Sequence, residues 1–401
     1  MRSVPAFATL PILLSIAACN MMTNQPDAQE KGSAPIAGQT QPVADPLAAR
    51  DLEPGAALPA ELADDQPRPV MQAQVVLDRM GFTPGVVDGK DGLSTRNAIL
   101  GFQEANDLPL TGKLDEPTKV KLEQWRNIPA TRVVTIPEAF AAGPFMPIPK
   151  KAEEQAKLEK MAYTSLDEQL AERFHTTIDT LKALNPGGMP AGSSAPSGST
   201  GTPLKNPIAV PDATGSETPA SSFVRAGQQI RVPNVGADAL DASQVGEAKW
   251  RDTLAMLGVG TSQPKAARIV VSKSKGTLKA YDADNKLVGM FTATMGSGHD
   301  PLPLGEWKIL GVAHNPPFRY NPELFWDVND KADKLMLPPG PNGPVGVAWI
   351  DLSKEHYGIH GTPEPQTIGR AESHGCVRLT NWDVARLAQM VSTSTKVLFE
   401  A

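Results

Sequence analysis

Apolar positions along the chain recur at two different periods, which separate a helical part from a strand-rich part. Between residues 70 and 126 the spacing is helical, as for Val70, Ala73 and Leu77 in the first predicted helix. Glycine and proline interrupt this spacing and divide the segment into three predicted helices. The pattern therefore predicts a small helical unit.

From Arg268 onward the period changes to the alternation of β-strands. Turn residues separate the predicted strands, which cover 269–271, 278–281, 287–295, 305–310, 345–352 and 397–399. One helix is predicted before the last strand, with Val384 and Leu387 on its apolar side. This part is long enough to bury a core of its own as a mainly β domain.

Polar residues that precede the predicted helices are candidate N-caps. Such a side chain accepts a hydrogen bond from a backbone N–H of the first turn. We therefore expect Ser94, Asp115 and Asn381 to cap the helices that follow them, with Pro117 and Asp383 in two of the first turns.

The middle of the chain alternates helical segments with segments of low complexity. Helices are predicted at 166–174 and 178–184, and the stretch 187–222 is rich in Gly, Ser, Pro and Thr. We assign 161–235 to one module with 187–222 as an insertion. The flanking segments, 130–160 and 236–267, are predicted linkers, and the second carries a helix near Trp250.

The length and charge of the chain limit its possible domains and partners. At 401 residues, two or three domains are expected. The formal net charge is −6 and the sequence has no run of basic residues. Because nucleic-acid binding depends on clustered positive charge, nucleic acid is not an expected partner.

The N-terminus has the pattern of an export signal. Arg2 precedes an apolar run, 4–18, that is too short to span a bilayer. The run ends in Ala17-Ala18-Cys19, which resembles the bacterial lipobox. The resemblance implies a signal peptide over 1–19 and lipidation of Cys19. The alternative is an ordinary signal peptide cleaved near Ala18.

A lipidated Cys19 implies a membrane-anchored protein in the periplasm, and Asn20 after it favours the outer membrane. Residues 20–67, rich in Pro, Ala, Gln and Asp, are predicted to be a disordered tether with a reach of about 40 Å. The sequence has two cysteines. If the first is lipidated, Cys376 has no disulfide partner in the chain and is a candidate reactive thiol.

Two motifs near the C-terminus combine histidine, cysteine and glycine, Ile359-His360-Gly361-Thr362 and Ser373-His374-Gly375-Cys376. A thiol needs a base to become a nucleophile, and the oxyanion it creates needs hydrogen-bond donors. His360 is the candidate base, and the N–H groups of Gly375 and Cys376 are candidate donors. The motifs predict a nucleophilic cysteine site for acyl transfer.

The same histidines allow another interpretation, a zinc site. His356 and His360, with His374 or Cys376, are potential ligands. Gly358 and the β-rich surroundings argue against a helix that would direct both rings to one ion, and the sequence lacks an HExxH motif. We therefore predict no metal and no cofactor.

The helical unit resembles the peptidoglycan-binding type 1 domain. The resemblance rests on Gly85-Val86-Val87-Asp88-Gly89, Gly92, Thr95, Phe102-Gln103 and Thr111-Gly112. It implies a small three-helix domain over 68–129 that binds peptidoglycan. A helical spacer whose glycines serve only turns is the alternative.

The middle module resembles LysM, a strand–helix–helix–strand (βααβ) unit that binds the glycan of peptidoglycan. The resemblance rests on Tyr163-Thr164-Ser165, the two helices ending in Asn185-Pro186, and the segment 226–233. The insertion is a departure from the family pattern. Because loop length costs little entropy, the fold is expected to survive it.

The segment 268–401 is similar to the YkuD-type L,D-transpeptidase catalytic domain. The similarity rests on Ile359–Thr362, Ile368-Gly369 and Ser373–Leu379, and Leu337–Gly346 resembles the ErfK-like subgroup. The fold class expected for the whole chain is multidomain α+β. It combines the mainly β catalytic domain with the three-helix domain and the βααβ module.

The resemblance implies a mechanism on the stem peptides of peptidoglycan. Cys376 attacks the carbonyl of the third, diamino-acid residue of a tetrapeptide stem and expels the terminal D-alanine. His360 acts as base and then as acid, with the Gly361 carbonyl fixing its tautomer. The N–H groups of Gly375 and Cys376, with His374 nearby, hold the oxyanion.

Three further residues are candidates for contact with the substrate, Ser373, Arg378 and Thr362. Arg378 is expected to bind the carboxylate of the donor or to brace the cysteine loop, and Ser373 to brace that loop. A purely structural role is the alternative for His374, and a simple ion pair is the alternative for Arg378.

The acceptor is open at the level of sequence. An amine of another stem would give a 3→3 crosslink, and a lysine of an outer-membrane lipoprotein would give an attached protein. Water would make the chain an L,D-carboxypeptidase or an amidase. A non-catalytic wall-binding lipoprotein is disfavoured by the intact Cys376 and His360. An NlpC hydrolase is disfavoured because its cysteine precedes its histidine.

Overall fold

The computed structural model describes residues 47, 66–191, 221–236, 240–324, 333–373 and 375–401. The predicted signal peptide with Cys19, nearly all of the tether, most of the insertion and His374 lie outside these residues. None of the helices described is both long enough and apolar enough to cross a membrane.

Helices predominate in the described chain before Arg268, and strands predominate from Arg268 onward. The α-helices are α1 (Pro69–Arg79), α2 (Leu93–Ala105), α3 (Glu116–Leu122), α4 (Glu138–Ala141), α5 (Ala152–Gln155), α6 (Leu166–Arg173), α7 (Ile178–Leu184), α8 (Ala248–Leu257) and α9 (Asn381–Met390). The first strands are β1 (Phe82–Thr83), β2 (Thr131–Thr135), β3 (Gln229–Pro233), β4 (Arg268–Ser272), β5 (Thr277–Tyr281), β6 (Leu287–Thr292) and β7 (Thr294–Met295). The remaining strands are β8 (Gly305–His314), β9 (Phe318–Tyr320), β10 (Leu335–Leu337), β11 (Ala348–Leu352), β12 (Gly358–His360), β13 (Val377–Arg378) and β14 (Lys396–Glu400).

In the described part of the chain, one large sheet has the strand order β1-β6-β5-β4-β14-β8-β11-β12-β13-β7. It contains every strand region predicted from the alternating pattern beyond Arg268. Helix α9 packs on it, and its Trp382 is fully buried in the same core. The protein is therefore α+β with a mainly β C-terminal domain, as expected.

Helix α8 belongs to this core, although we predicted its segment as a linker. Its apolar face, with Trp250, Leu254 and Leu257, is buried in one cluster with the residues of the sheet. Gly258 ends the helix in the left-handed conformation, with φ of 67°. The segment is thus a structural part of the C-terminal domain.

The N-terminal helical unit packs directly on the edge of the large sheet. Its strand β1 pairs in parallel with β6, with Phe82 opposite Met290. Gly101 of α2 allows this approach, because a Cβ there would lie 2.7 Å from the Met290 sulfur. The Glu104 carboxylate binds Lys279 and accepts a hydrogen bond from the Tyr281 hydroxyl. The unit and the sheet share one interface.

The middle of the chain forms a βααβ arrangement whose first strand differs from our prediction. Strand β2 pairs antiparallel with β3, and α6 and α7 lie between them in the sequence. We had assigned β2 to the linker 130–160 and expected the module to begin at 161. The apolar side chains of β2 and β3, including Val134 and Ile230, share a core with Leu170. The identity of this module as LysM stays a prediction.

Of the three predicted N-caps, one is confirmed and two are wrong. The Asp115 carboxylate accepts a hydrogen bond from the Thr118 N–H at 3.1 Å. Gly92, rather than Ser94, precedes α2. Thr380 caps α9 by accepting from the Asp383 N–H at 3.1 Å, whereas Asn381 is the first helical residue. At α9 the neighbouring threonine caps the helix instead of the predicted asparagine, whereas α2 has no side-chain cap.

A buried carboxylate, Asp78 of α1, connects all three parts of the chain. The Arg386 guanidinium of α9 donates to both carboxylate oxygens, at 3.2 and 3.0 Å. The His175 ring, from the loop after α6, lies 3.2 Å from the carboxylate through Nδ1 and 3.0 Å from the Leu257 carbonyl through Nε2. His175 also stacks on Trp382 with ring centroids 4.9 Å apart.

We predict that Asp78→Asn destabilises the whole protein by about 3–5 kcal/mol, because Arg386 and His175 would stay buried without their carboxylate. Denaturant unfolding of the full chain measures this. Glu123→Gln is the matched control, since the ion pair of Glu123 with Arg126 is exposed and is worth at most about 1 kcal/mol. Equal small losses in both variants would contradict the role of Asp78.

The pH dependence gives a second readout of the same substitution. Although burial opposes it, Arg386 and His175 hold the pKa of Asp78 well below the ordinary value of 3.8. A depressed pKa contributes stability that is complete above the ordinary value and is lost as the pH falls toward the folded value. The deficit of Asp78→Asn should therefore be full at neutral pH and should narrow below pH 3.8.

Candidate active site

Two neighbouring parallel strands position the predicted base and nucleophile. His360 is the last residue of β12, and Cys376 directly precedes β13. In the register of these strands, Ile359 lies opposite Val377 and His360 opposite Arg378. Ile359 and Val377 are fully buried and anchor both strands in the core. The fold thus brings the two sequence motifs together.

His360 is held in one tautomer by the backbone. Its ring is buried, and Nδ1 lies 2.7 Å from the Gly361 carbonyl oxygen. Because a carbonyl only accepts, Nδ1 carries the proton and Nε2 carries a free lone pair. The Trp349 ring stacks on the imidazole at a centroid distance of 5.4 Å and an angle of 17°. The predicted contact with the Gly361 carbonyl is present.

The resting site contains two neutral groups. Burial and the positive charge of Arg378 lower the pKa of His360 to about 4, which the bond to Gly361 opposes only in part. Burial also raises the pKa of the Cys376 thiol, although Gly358 and Arg378 act in the opposite direction. The thiol donates a hydrogen bond to the His356 carbonyl at 3.7 Å. A thiol and a neutral imidazole therefore predominate near neutral pH.

Glycine is required at position 375 by both conformation and space. Gly375 has φ of +96°, a value that other residues rarely adopt. A Cβ there would lie 2.6 Å from the Tyr357 ring. The Tyr357 side chain therefore packs directly against the backbone next to Cys376. Sequence reasoning missed Tyr357, although its position just before the histidine motif was a possible signal.

Two of the predicted substrate residues have structural partners. The Ser373 hydroxyl donates to the Cys376 carbonyl at 2.6 Å and accepts from the Gly296 N–H at 2.7 Å. It is buried and braces the cysteine loop against the neighbouring turn. Thr362 is also buried, and its hydroxyl accepts from the Glu364 N–H at 3.3 Å. A direct contact of either residue with substrate stays a prediction.

Arg378 is the cation of the site. It is partly buried, and its charge lowers the pKa values of both His360 and Cys376. Within the described residues, its guanidinium has no carboxylate partner in an ion pair. It is thus available to an anionic group of a substrate. The alternative, a simple ion pair of Arg378, finds no carboxylate partner among the described residues.

A buried network of hydrogen-bonded polar side chains lies behind the histidine motif. Sequence reasoning missed this network. The Asn381 amide donates to Glu172 at 2.8 Å and to the Pro341 carbonyl at 3.0 Å. Its oxygen lies so close to Gly361 that a Cβ there would approach to 2.2 Å. The Tyr163 hydroxyl donates to the other oxygen of Glu172. These residues are far apart in sequence, so no local pattern marks them.

Within this hydrogen-bonded network, the Glu172 carboxyl group is protonated at neutral pH. Burial raises the pKa of Glu172 to about 8, although the bonds from Tyr163 and Asn381 act in the opposite direction. The βααβ module thus supports the turn that positions His360, through a neutral carboxyl group and Asn381. His374, the remaining predicted site residue, lies outside the described residues.

Comparison with family models matches two segments of the chain. Residues 266–398 match YkuD, described as the L,D-transpeptidase catalytic domain. Residues 66–122 match a family described as "Putative peptidoglycan binding domain". The two segments contain the candidate active site and the N-terminal helical unit, respectively.

Several known proteins are similar to the chain. The "Putative L,D-transpeptidase YkuD" of Bacillus licheniformis is 33% identical over 181 residues, which cover 45% of this chain and 90% of that protein. The "Probable L,D-transpeptidase ErfK/SrfK" of Escherichia coli is 29% identical over 133 residues, which cover 32% and 42%. The solved L,D-transpeptidase 3 of Mycobacterium tuberculosis, in complex with a faropenem-derived adduct, is 19% identical with a TM-score of 0.28. That match covers 33% of this chain and 60% of the solved one.

We predict that the alkylation rate of Cys376 by iodoacetamide keeps rising through pH 9, because burial places the pKa of the thiol above its ordinary value of 9.0. The full chain with Cys19→Ser leaves Cys376 as the single cysteine for this measurement. His360→Ala should leave the midpoint nearly unchanged, since the resting imidazole is neutral. A plateau already reached at pH 7 would instead indicate a thiolate–imidazolium pair.

Proposed function

The chain belongs to the L,D-transpeptidase family, and we propose that it uses Cys376 to take the acyl group of a peptidoglycan tetrapeptide stem. The enzyme class follows from the family, and the YkuD domain supplies the catalytic part. The observation that carries the proposal is the single tautomer of His360 on a strand adjacent to Cys376. A buried base with a free Nε2 beside a lone thiol fits nucleophilic acyl transfer.

In the first step, the Cys376 sulfur forms a bond to the carbonyl carbon of the third residue of the stem. Nε2 of His360 accepts the thiol proton and returns it to the departing amine as the C–N bond breaks, which releases D-alanine. Because the low pKa of His360 and the raised pKa of Cys376 disfavour the ion pair, proton transfer accompanies the attack. The product is a thioester on Cys376.

The oxyanion formed in this step needs donors beside the sulfur. We assign the backbone N–H groups of Gly375 and Cys376 to this role, with His374 as a third donor. The positive φ of Gly375 and the bond of Ser373 to the Cys376 carbonyl support this assignment, because they fix the orientation of the peptide groups at the nucleophile.

We assign Arg378 to a carboxylate of the donor stem, and Thr362 and Ser373 to the edge of the same site. The assignment of Arg378 rests on its position opposite His360 and on its lack of an anionic partner within the described residues. A guanidinium binds carboxylates through paired hydrogen bonds, so it suits this role. Its field also holds His360 neutral in the resting enzyme.

We propose that an amine resolves the thioester. A second peptide stem would give a 3→3 crosslink, and a lysine of an outer-membrane lipoprotein would give an attached protein. Water would give the L,D-carboxypeptidase or amidase outcome from the same thioester. The energy of the original peptide bond is retained in the thioester, so transfer to an amine needs no further energy source.

We further propose that the protein works in the periplasm, anchored to a membrane through lipidated Cys19 and preferentially to the outer membrane. The family match of residues 66–122 makes peptidoglycan the natural partner of the N-terminal unit. The tether after Cys19 would then let the folded part reach the wall. Binding of glycan by the LysM-like module is part of this proposal.

We expect incubation of the full chain with a purified disaccharide-tetrapeptide to give a thioester adduct, D-alanine and a crosslinked dimer. Intact-protein mass spectrometry detects the adduct, and chromatography separates the products. Cys376→Ala should abolish the adduct, and His360→Ala should slow its formation at least about 100-fold, the usual contribution of a general base. His356→Ala is the matched control, since its ring is exposed and unassigned.

Each product pattern discriminates between the proposals. An adduct that resolves only to tripeptide would indicate hydrolysis. An adduct on the Cys376→Ala chain, or none on the native chain with any stem peptide, would overturn the assignment of the nucleophile.

A further inference from the structure

Asn381, at the start of α9, links the upstream βααβ module to the candidate base. Its side chain is fully buried. The side-chain amide donates to Glu172 at 2.8 Å and to the Pro341 carbonyl at 3.0 Å, and its oxygen accepts from the Val347 N–H at 3.3 Å. Because a carbonyl only accepts and a backbone N–H only donates, these partners exclude a flipped amide. The orientation of this side chain is therefore fixed.

The fixed amide packs against the turn that holds His360. Its oxygen lies so close to two glycines, Gly346 and Gly361, that neither position has space for a Cβ. The Gly361 N–H donates to the Val345 carbonyl at 3.1 Å, and the Gly361 carbonyl accepts from Nδ1 of His360. A displaced amide would therefore move the carbonyl that selects the tautomer of the imidazole.

Glu172 of α6 provides one acceptor for the Asn381 amide from the βααβ module. The residue is buried, and its second carboxyl oxygen is hydrogen-bonded to the hydroxyl of Tyr163, which is buried as well. The two carboxyl oxygens thus have separate partners. Because both are engaged, the carboxyl group keeps one orientation and couples the position of α6 to that of Asn381.

The other acceptor, the Pro341 carbonyl, lies in a loop that the same module holds. The Met161 N–H donates to the Pro339 carbonyl at 2.8 Å, and the Asn342 N–H donates to the Met161 carbonyl at 3.0 Å. The Asn342 side chain also donates to the Ala162 carbonyl at 2.9 Å. Both acceptors of the buried amide therefore depend on contacts with the βααβ module.

We propose that Glu172 is a positioning residue for acyl transfer, which acts through Asn381 to keep His360 in its productive tautomer. The proposal rests on the proposed function, because it requires His360 to be the base. The covalent steps stay those of the thiol and the imidazole. The βααβ module is thus part of the catalytic unit. Because positioning acts on the reaction step, its loss lowers the rate of acylation rather than the affinity for the stem.

The carboxyl group suits this role in its neutral form. Two titratable groups act on it, Tyr163 from the segment before α6 and Glu168 from one turn earlier on α6. Helix α9 presents only the uncharged Asn381 amide. Glutamine has the shape of a neutral glutamic acid, and its amide oxygen and N–H₂ group can meet the same two partners. Glu172→Gln should therefore preserve the network.

The test measures thioester formation by the full chain from a disaccharide-tetrapeptide, followed by intact-protein mass spectrometry. Glu172→Ala should lower the rate at saturating stem at least about tenfold, because a small misplacement of a catalytic group is costly. The stem concentration that gives half of the maximal rate should stay within about twofold. Glu172→Gln should restore the native rate.

Asp167→Ala is the matched control. Asp167 is a buried carboxylate on the same helix, and it accepts from the Phe223 N–H at 3.1 Å within the module. This variant should keep the native rate. Native acylation by Glu172→Ala, or an equal loss of rate in Asp167→Ala, would overturn the assignment. So would a change confined to the half-saturating concentration.

The pH profile is a readout that a purely structural role would not move. Burial raises the pKa of Glu172 to about 8. The ratio of the native rate to that of Glu172→Gln should be near one well below this pH and should fall as the pH rises through it, because a buried carboxylate disturbs the network. Cys376 ionises in both chains, so the ratio isolates Glu172. A ratio that is constant over this range would contradict the coupling to His360.

A tautomer measurement separates this proposal from the proposed function. In the full chain with ¹⁵N-labelled histidine, the signals that His360→Ala removes report which ring nitrogen of His360 carries the proton. The native, Glu172→Gln and Asp167→Ala chains should carry it on Nδ1 alone, whereas Glu172→Ala should exchange between both tautomers. Failure of the native chain to form a thioester would refute the nucleophile and leave these spectra to decide on Glu172. An unchanged tautomer in Glu172→Ala would overturn the positioning role.

Discussion

The buried Asp78 carboxylate is the contact on which the arrangement of the three parts depends. It lies on the first helix, yet its partners are a histidine from the βααβ module and an arginine from the last helix. A charge in this position is tolerated only with both partners in place, because a buried ion without compensation is strongly unfavourable. The three parts therefore have one mutual arrangement.

The same arrangement supports His360, the candidate base. Glu172 of the βααβ module binds Asn381, and Asn381 packs against Gly361, whose carbonyl fixes the tautomer of His360. A site that looks local in sequence thus depends on a module that begins far upstream. The βααβ module thus forms part of the structure behind the candidate active site.

Much of the fold and the site followed from sequence patterns. The strand alternation beyond Arg268 predicted the regions that form the large sheet. The resemblance of the two C-terminal motifs to the transpeptidase family implied the bond between His360 and Gly361. The misplaced elements have separate causes. β2 was assigned to a linker because its pairing partner, β3, lies on the far side of a long insertion. The cap at Asn381 failed because Thr380 accepts from the backbone N–H instead. Ser94 failed because α2 begins at Leu93, directly after Gly92 and without a side-chain cap.

The sequence by itself predicted the chemistry: the thiol of Cys376, a histidine, and a glycine next to the thiol stand in motifs that indicate acyl transfer. Only the tertiary structure decided the protonation states of the imidazole and the thiol, because burial and the charge of Arg378 shift the pKa values of His360 and Cys376. It alone also revealed the cluster around Asp78 and the polar network from Glu172 to Gly361. Each of these joins residues that are distant along the chain. Local periodicity carries no information about which distant side chains will share one buried space.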